Sequence, residues 1–255
     1  MAFSHIRHQL HLYRKKITLF SFLLILLLAG QTAMGQKKIS QMNKPGYDDK
    51  LVHYGFYLAV PLTKYNLQHS QEYVDQLQNS PDPVKVNAKV SPGFYTGLVL
   101  NVRLAEYLDA RFVPGVGFYG RSIEYINVRN PDNGELQDRV ETISSTMIEL
   151  PLLLKYKSKR RTNYRMYFVG GIKPGIDLGS GQSGDDKENA LVVDNFDLAL
   201  EYGVGLDIFY PFFKFAPELR FSHGLINQHV PNGSLFNESL QKLTNHNVSL
   251  ILFFE

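Results

Sequence analysis

The sequence predicts an all-β fold: an eight-stranded antiparallel transmembrane β-barrel, preceded by a cleaved signal peptide. Three observations predict it. Long apolar segments alternate with small or charged residues in steps of two, their connections alternate long and short, and the N-terminus is laid out as an export signal.

The alternation is clearest from Phe196 to Tyr210. Phe196, Leu198, Leu200, Tyr202, Val204, Leu206, Ile208 and Tyr210 share one parity, and Asp197, Ala199, Glu201, Gly203, Gly205 and Asp207 share the other. A period of two places each class on one face of a strand, whereas a helix would scatter both. Ordinary globular strands average about 5–6 residues. A membrane-spanning strand needs about 9–11, apolar toward lipid and small or polar toward the lumen.

At the N-terminus, Arg7, Arg14, Lys15 and Lys16 precede an apolar run from Ile17 to Ala29, and Ala33-Met34-Gly35 offers a small-x-small cleavage site. Residues 1–35 read as a signal peptide, 36–50 as a flexible periplasmic leader and 51–255 as the barrel. The discarded segment holds four basic and no acidic residues, so the formal charge of +3 falls to about −1 in the mature chain and gives no argument for nucleic acid. The absence of cysteine excludes a disulfide framework and a thiolate metal site.

The strands are justified in turn. The first, Val52 to Lys64, aligns Tyr54, Phe56, Leu58, Val60 and Leu62; a polar stretch broken by Pro81, Pro83 and Pro92 follows, with a short helix expected over Glu72–Gln78. The second, Gly93 to Arg103, aligns Phe94, Leu98, Leu100 and Val102. The third, Ala110 to Tyr119, sets Phe112, Val116 and Phe118 against Arg111, Gly115 and Gly117. A long connection over Arg121–Ile143 contains the turn sequence Asn130-Pro131-Asp132-Asn133-Gly134. The fourth strand, Ser145 to Tyr156, opposes Ile148, Leu150, Leu152 and Leu154 to Glu149 and Lys155. A brief basic turn leads to the fifth, Tyr164 to Ile176, then a long loop to the sixth, Phe196 to Tyr210. After Pro211 the phase flips, so that Phe213, Phe215, Leu219 and Phe221 oppose Lys214, Glu218 and Arg220. The last strand, His246 to Phe254, follows another long loop. Short turns on one side and long loops on the other place both termini in the periplasm and the long loops outside.

A sheet in lipid must close, because a free edge finds no hydrogen-bond partner there. Eight strands give a barrel of the small OmpA/OmpX type, just wide enough for its own side chains to fill. The expected lumen face carries Arg103, Arg111, Lys155, Arg165, Lys173, Lys214 and Arg220 against Glu149, Asp197, Glu201, Asp207 and Glu218, which reads as a packed charge network rather than an open channel. Tyr54, Tyr156, Tyr164, Tyr202 and Tyr210 are candidates for the interfacial aromatic girdles. Lys157, Lys159, Arg160 and Arg161, in the basic turn, are candidate contacts for an acidic periplasmic partner.

No phosphate loop, His-Glu-x-x-His or Gly-x-Ser-x-Gly motif occurs, and no catalytic residue, cofactor, metal or small-molecule substrate is expected. Ser222-His223, at the outer end of strand seven, is the one pair that could serve a lipid A-modifying hydrolase or acyltransferase, set against a plain interfacial role. Asp185-Asp186 presents too few ligands for calcium.

Tyr54-Gly55-Phe56-Tyr57-Leu58, Gly93-Phe94-Tyr95-Thr96-Gly97-Leu98-Val99, Ile148-Glu149-Leu150-Pro151 and Gly170-Gly171-Ile172-Lys173-Pro174-Gly175 resemble segments of the PorT family. The resemblance covers most of the mature chain. It implies a non-enzymatic outer-membrane barrel of Gram-negative bacteria that assists type IX secretion. Its partners would be outer-membrane lipid, lipopolysaccharide and other secretion-system components. The alternative is a structural or adhesive barrel that binds ligands through its extracellular loops. Glu255 departs from the aromatic ending common among such barrels, since Phe254 is only the penultimate residue.

Overall fold

The computed structural model describes residues 42–79, 83–129, 134–179, 193–229 and 240–255. The expected signal peptide, leader residues 36–41, the turn residues 130–133 and Asp185-Asp186 lie outside them. Among the described residues, eleven strands and one helix follow in order: β1 (Val52–His69), α1 (Gln71–Asn79), β2 (Lys85–Lys89), β3 (Ser91–Arg103), β4 (Leu108–Phe112), β5 (Gly115–Arg129), β6 (Leu136–Glu149), β7 (Leu152–Lys157), β8 (Tyr164–Asp177), β9 (Phe196–Phe209), β10 (Lys214–Gly224) and β11 (Leu240–Phe254).

The named strands make eight walls. β4 and β5 are two parts of one crossing, interrupted at Val113-Pro114, and β6 and β7 are two parts of the next, interrupted at Leu150-Pro151. A proline cannot donate to the ladder and is tolerated at such irregularities. Its carbonyl still serves: Leu98 N–H donates to Pro114 at 2.9 Å and Val113 N–H to Pro151 at 3.0 Å. Every pairing in the ring is antiparallel, from β1 on β3 through β4/β5, β6/β7, β8, β9 and β10 to β11. β11 then pairs with β1, from Phe56 opposite Phe254 to His69 opposite Leu240, and the barrel has no free edge within the membrane.

Burial is inverted relative to a water-soluble core. Phe56, Leu58, Val60 and Leu62 on β1 are exposed, while Tyr57 and Ala59 between them, and Thr63 and Tyr65 beyond, are buried. The lumen holds aromatic and charged side chains at close quarters. Two glycines make this possible, because a Cβ at Gly115 would overlap the Tyr57 hydroxyl and one at Gly205 would overlap the Tyr167 ring.

Several strands outrun their sequence-based bounds. β1 continues past Lys64 to His69, with Asn66 and Gln68 turned outward. The connection expected over Arg121–Ile143 is mostly strand: β5 runs to Arg129 and β6 starts at Leu136, paired from Gly115 opposite Glu149 to Arg129 opposite Leu136. β2, inside the stretch expected to be polar loop and helix, pairs with β5 over Lys85–Lys89. The barrel therefore rises above the apolar band on its long-loop side.

Both mouths are covered. On the long-loop side, Tyr65, Tyr73, Val86, Ile123, Tyr125 and Leu243 form a buried cluster, with Leu67 and Leu77 packed against it. Tyr73, from α1, reaches it by accepting the Val86 N–H at 2.9 Å, and Ser70 caps α1 by accepting the Tyr73 N–H at 3.2 Å. On the short-turn side, residues 42–50, expected to be flexible leader, form a docked floor instead. Asn43 N–H donates to the Asn163 side chain at 2.8 Å, Asn43 Nδ2 donates to Phe209 O at 2.9 Å, and Tyr47 is buried over Phe209. The polar composition that suggested flexibility supplies the hydrogen bonds that seat the segment.

Candidate functional site

The interior charges form one ladder across the lumen. It starts in the floor, where Asp48 accepts Arg165 at 2.5 Å; Arg165 also reaches Asp207 at 2.7 Å, directly across the β8–β9 pairing. Asp207 takes Lys155 at 2.8 Å and lies 3.8 Å from Lys214, whose ammonium contacts Glu255 at 2.6 Å. Asn101 links the next rung, donating to Glu255 at 2.7 Å and accepting Arg111 Nε at 2.7 Å. Arg111 donates to Glu218 at 2.8 Å, and Glu218 also accepts Arg220. Arg220 reaches Glu201 at 3.1 Å, Lys173 lies 3.6 Å from Glu201 and 2.8 Å from Glu149, and Glu149 accepts the Tyr119 hydroxyl at 2.8 Å.

These alternating signs are what make the burial tolerable. An isolated buried charge costs several kcal/mol, while a well-paired one with its remaining bonds satisfied recovers most of that. Cation–π contacts add to it: Lys155 Nζ lies 3.7 Å from the Tyr167 centroid and the Arg111 guanidinium 4.6 Å from that of Phe253.

Of the residues expected on the lumen face, Arg111, Glu149, Lys155, Arg165, Lys173, Glu201, Asp207, Lys214, Glu218 and Arg220 are brought together here. Asp197 is buried but is served by an amide, accepting Asn245 Nδ2 at 2.9 Å. Arg103 stays out of the ladder: it lies half-buried at the short-turn end and donates to the Asp48 carbonyl at 2.6 Å. Asp48, Asp109, Arg121 and Glu255 join the interior charges in addition to the set that strand parity predicts. Continuing the inward parity of β5 through Gly117 and Tyr119 reaches Arg121, which lies 4.7 Å from the Tyr119 centroid, and the parity of β11 reaches Glu255.

The basic turn divides. Lys157 is no surface contact, being buried and paired with Asp109 at 2.6 Å. Arg160 is occupied within the molecule: it donates to the carbonyls of Asn43 and Lys44 and stacks 3.6 Å from the Phe209 centroid. Lys159 and Arg161 remain exposed. Tyr54, Tyr156, Tyr164 and Tyr210 are exposed near the short-turn end, whereas Tyr202 faces outward within β9.

Ser222 and His223 cannot act as a dyad. Neighbours on a strand face opposite ways, and Ser222 is buried inward while His223 lies on the outer face. There the Tyr202 hydroxyl is 2.8 Å from His223 Nε2, and His223 Nδ1 is 2.9 Å from His246 Nδ1.

A closed antiparallel ring, apolar outside and ion-paired within, defines an integral outer-membrane β-barrel protein. The chain belongs to the outer membrane protein beta-barrel domain family, which matches residues 36–230. Among solved structures it is similar to OprG of Pseudomonas aeruginosa, with 13% identity, coverage of 78% of this chain and 94% of that one, and a TM-score of 0.42. It is also similar to Neisserial surface protein A, with 10% identity, 80% and 98% coverage and a TM-score of 0.36. The attachment invasion locus protein Ail of Yersinia pestis gives 11%, 79%, 96% and 0.37 in the same order. No curated protein matches the chain.

Proposed function

We propose that this protein is a non-enzymatic, non-conducting outer-membrane barrel that acts as an accessory component of protein secretion, of the type IX kind that its resemblance to the PorT family implies. The observation that carries the reading is the ladder of interior charges, which fills the lumen among the described residues with paired side chains. Work at the membrane then falls to the rims, in contact with lipid, lipopolysaccharide and other secretion-system components. Lys159 and Arg161 are the exposed cations of the basic turn, placed to meet an acidic periplasmic partner. Deleting the gene is expected to strand secretion cargo in the periplasm; normal release of cargo would overturn the reading.

A second reading, an adhesive barrel, is favoured by the rise of β1, β5 and β6 beyond the apolar band. Cutting the β5–β6 hairpin back to the membrane would abolish surface binding and leave secretion intact if adhesion is the role.

A further inference from the structure

A cleft of about 470 Å³ opens at the short-turn rim, between the docked floor and the start of β1. One side is cationic and polar, made by Lys44, Lys50 and His53, and the other is the outward end of β1, Val52 and Tyr54, which are 44% and 80% exposed. The carboxylate at its base is already committed: Glu255 accepts Lys214 at 2.6 Å, Asn101 at 2.7 Å and the Tyr47 hydroxyl at 3.1 Å. Neither Lys44 nor Lys50 pairs with a carboxylate among the described residues. Asp48 is turned to Arg165, and Asp49, exposed on the same turn, pairs with neither lysine.

The backbone that carries Lys44 is held in place. Lys44 sits in the left-handed region with φ of 48°, which costs a non-glycine residue about 1 kcal/mol, and Arg160 fixes its carbonyl at 3.2 Å. His53 Nε2–H donates to the Tyr47 carbonyl at 2.7 Å, with the two rings 4.0 Å apart, so the polar wall is rigid. Burial depresses the Lys44 ammonium first, and the nearby Lys214 and Lys50 add to it; the part due to those two cations is what an anion would relieve.

We propose that this cleft binds the phosphate of a phospholipid headgroup from the inner leaflet, with Lys44 and Lys50 as anchors and the acyl chains lying along Val52 and Tyr54. An acidic peptide would satisfy the cations but has no use for a wall continuous with the lipid-facing surface.

The test uses the mature protein in nanodiscs containing phosphatidylglycerol, released and weighed by native mass spectrometry. The double variant Lys44→Gln/Lys50→Gln is expected to retain about thirtyfold less lipid, since each of the two interfacial lysines contributes roughly 1 kcal/mol toward an anionic surface. Lys44→Arg/Lys50→Arg should restore retention. In the wild type, acetylation of Lys44 and Lys50 should slow in phosphatidylglycerol nanodiscs but not in maltoside detergent, with or without inorganic phosphate, which separates a lipid from a free anion and needs no variant. Equal lipid retention by the double variant, protection by phosphate alone, or protection by hexaglutamate in detergent would each overturn the proposal.

Discussion

At the scale of single residues, the two-handed carboxylates decide how the lumen holds together. Glu218 accepts from both Arg111 and Arg220, and all three are fully buried. Glu218→Ala would take a shared carboxylate from both guanidiniums, leaving Arg220 on Glu201 and Arg111 on Asn101, a change expected to cost about 3 kcal/mol in urea unfolding from lipid. Lys159→Ala, at an exposed site with no ion pair among the described residues, serves as the comparison and should leave the unfolding midpoint where it is. Glu255 makes a separate prediction, since it lies one residue beyond β11. Burial alone would raise its carboxyl, but Lys214, then Arg111 and Lys155, outweigh burial and hold it at about 2 against an ordinary 4.5. A depressed folded-state value contributes stability that is complete above the unfolded value and lost as pH falls through the folded one. Unfolding profiles should therefore weaken between about pH 4.5 and 2, and Glu255→Gln should flatten that part of the acid limb.

At the scale of elements, the floor of residues 42–50 depends on a few long-range bonds. Asp48 holds Arg165 at 2.5 Å and Arg160 at 3.8 Å, while Tyr47 holds Glu255. Asp48→Ala should speed amide hydrogen exchange over residues 43–50 and leave β8 to β11 protected. Unchanged exchange over residues 43–50 would mean that the bonds of Asn43 and Tyr47, with those of Arg160 and Arg103 to the segment's carbonyls, suffice to seat it. The same comparison shows what could be read from the chain. Within the apolar band the parity of each strand sufficed, because lipid demands apolar side chains on every outward position; β9 was legible from Phe196 onward for that reason. Beyond the band water replaces lipid, the outward positions of β5 become Ser122 and Glu124, and the alternation fades although the pairing continues. A loop was therefore expected where the hairpin still stands. The interior was legible wherever the inward parity was followed and missed where it was not, as at Arg121 and Glu255. The floor was hidden for another reason: Asn43, Tyr47 and Asp48 meet partners more than a hundred positions away, which no local pattern encodes.

At the scale of the whole molecule, the question is whether anything passes through. Eight strands enclose a lumen that side chains can fill, and here the filling is charged, from Asp48 at one end to Glu149, with the Tyr65–Tyr125 cluster above it. A charged lining in a wide pore attracts ions, but here each charge of the ladder is held by an opposite one, and no row of unpaired carriers is offered. Salt screens exposed pairs within a Debye length of about 8 Å at physiological strength and buried pairs far less. The protein in a planar bilayer is therefore expected to show no discrete conductance steps at low or high salt. Removing residues 42–50 tests which part is the seal. The rungs from Arg111 through Glu218, Arg220 and Glu201 to Lys173 lie above the floor and do not touch it. The truncated barrel should stay closed, and steady conductance from it would assign the seal to the floor rather than to the ladder.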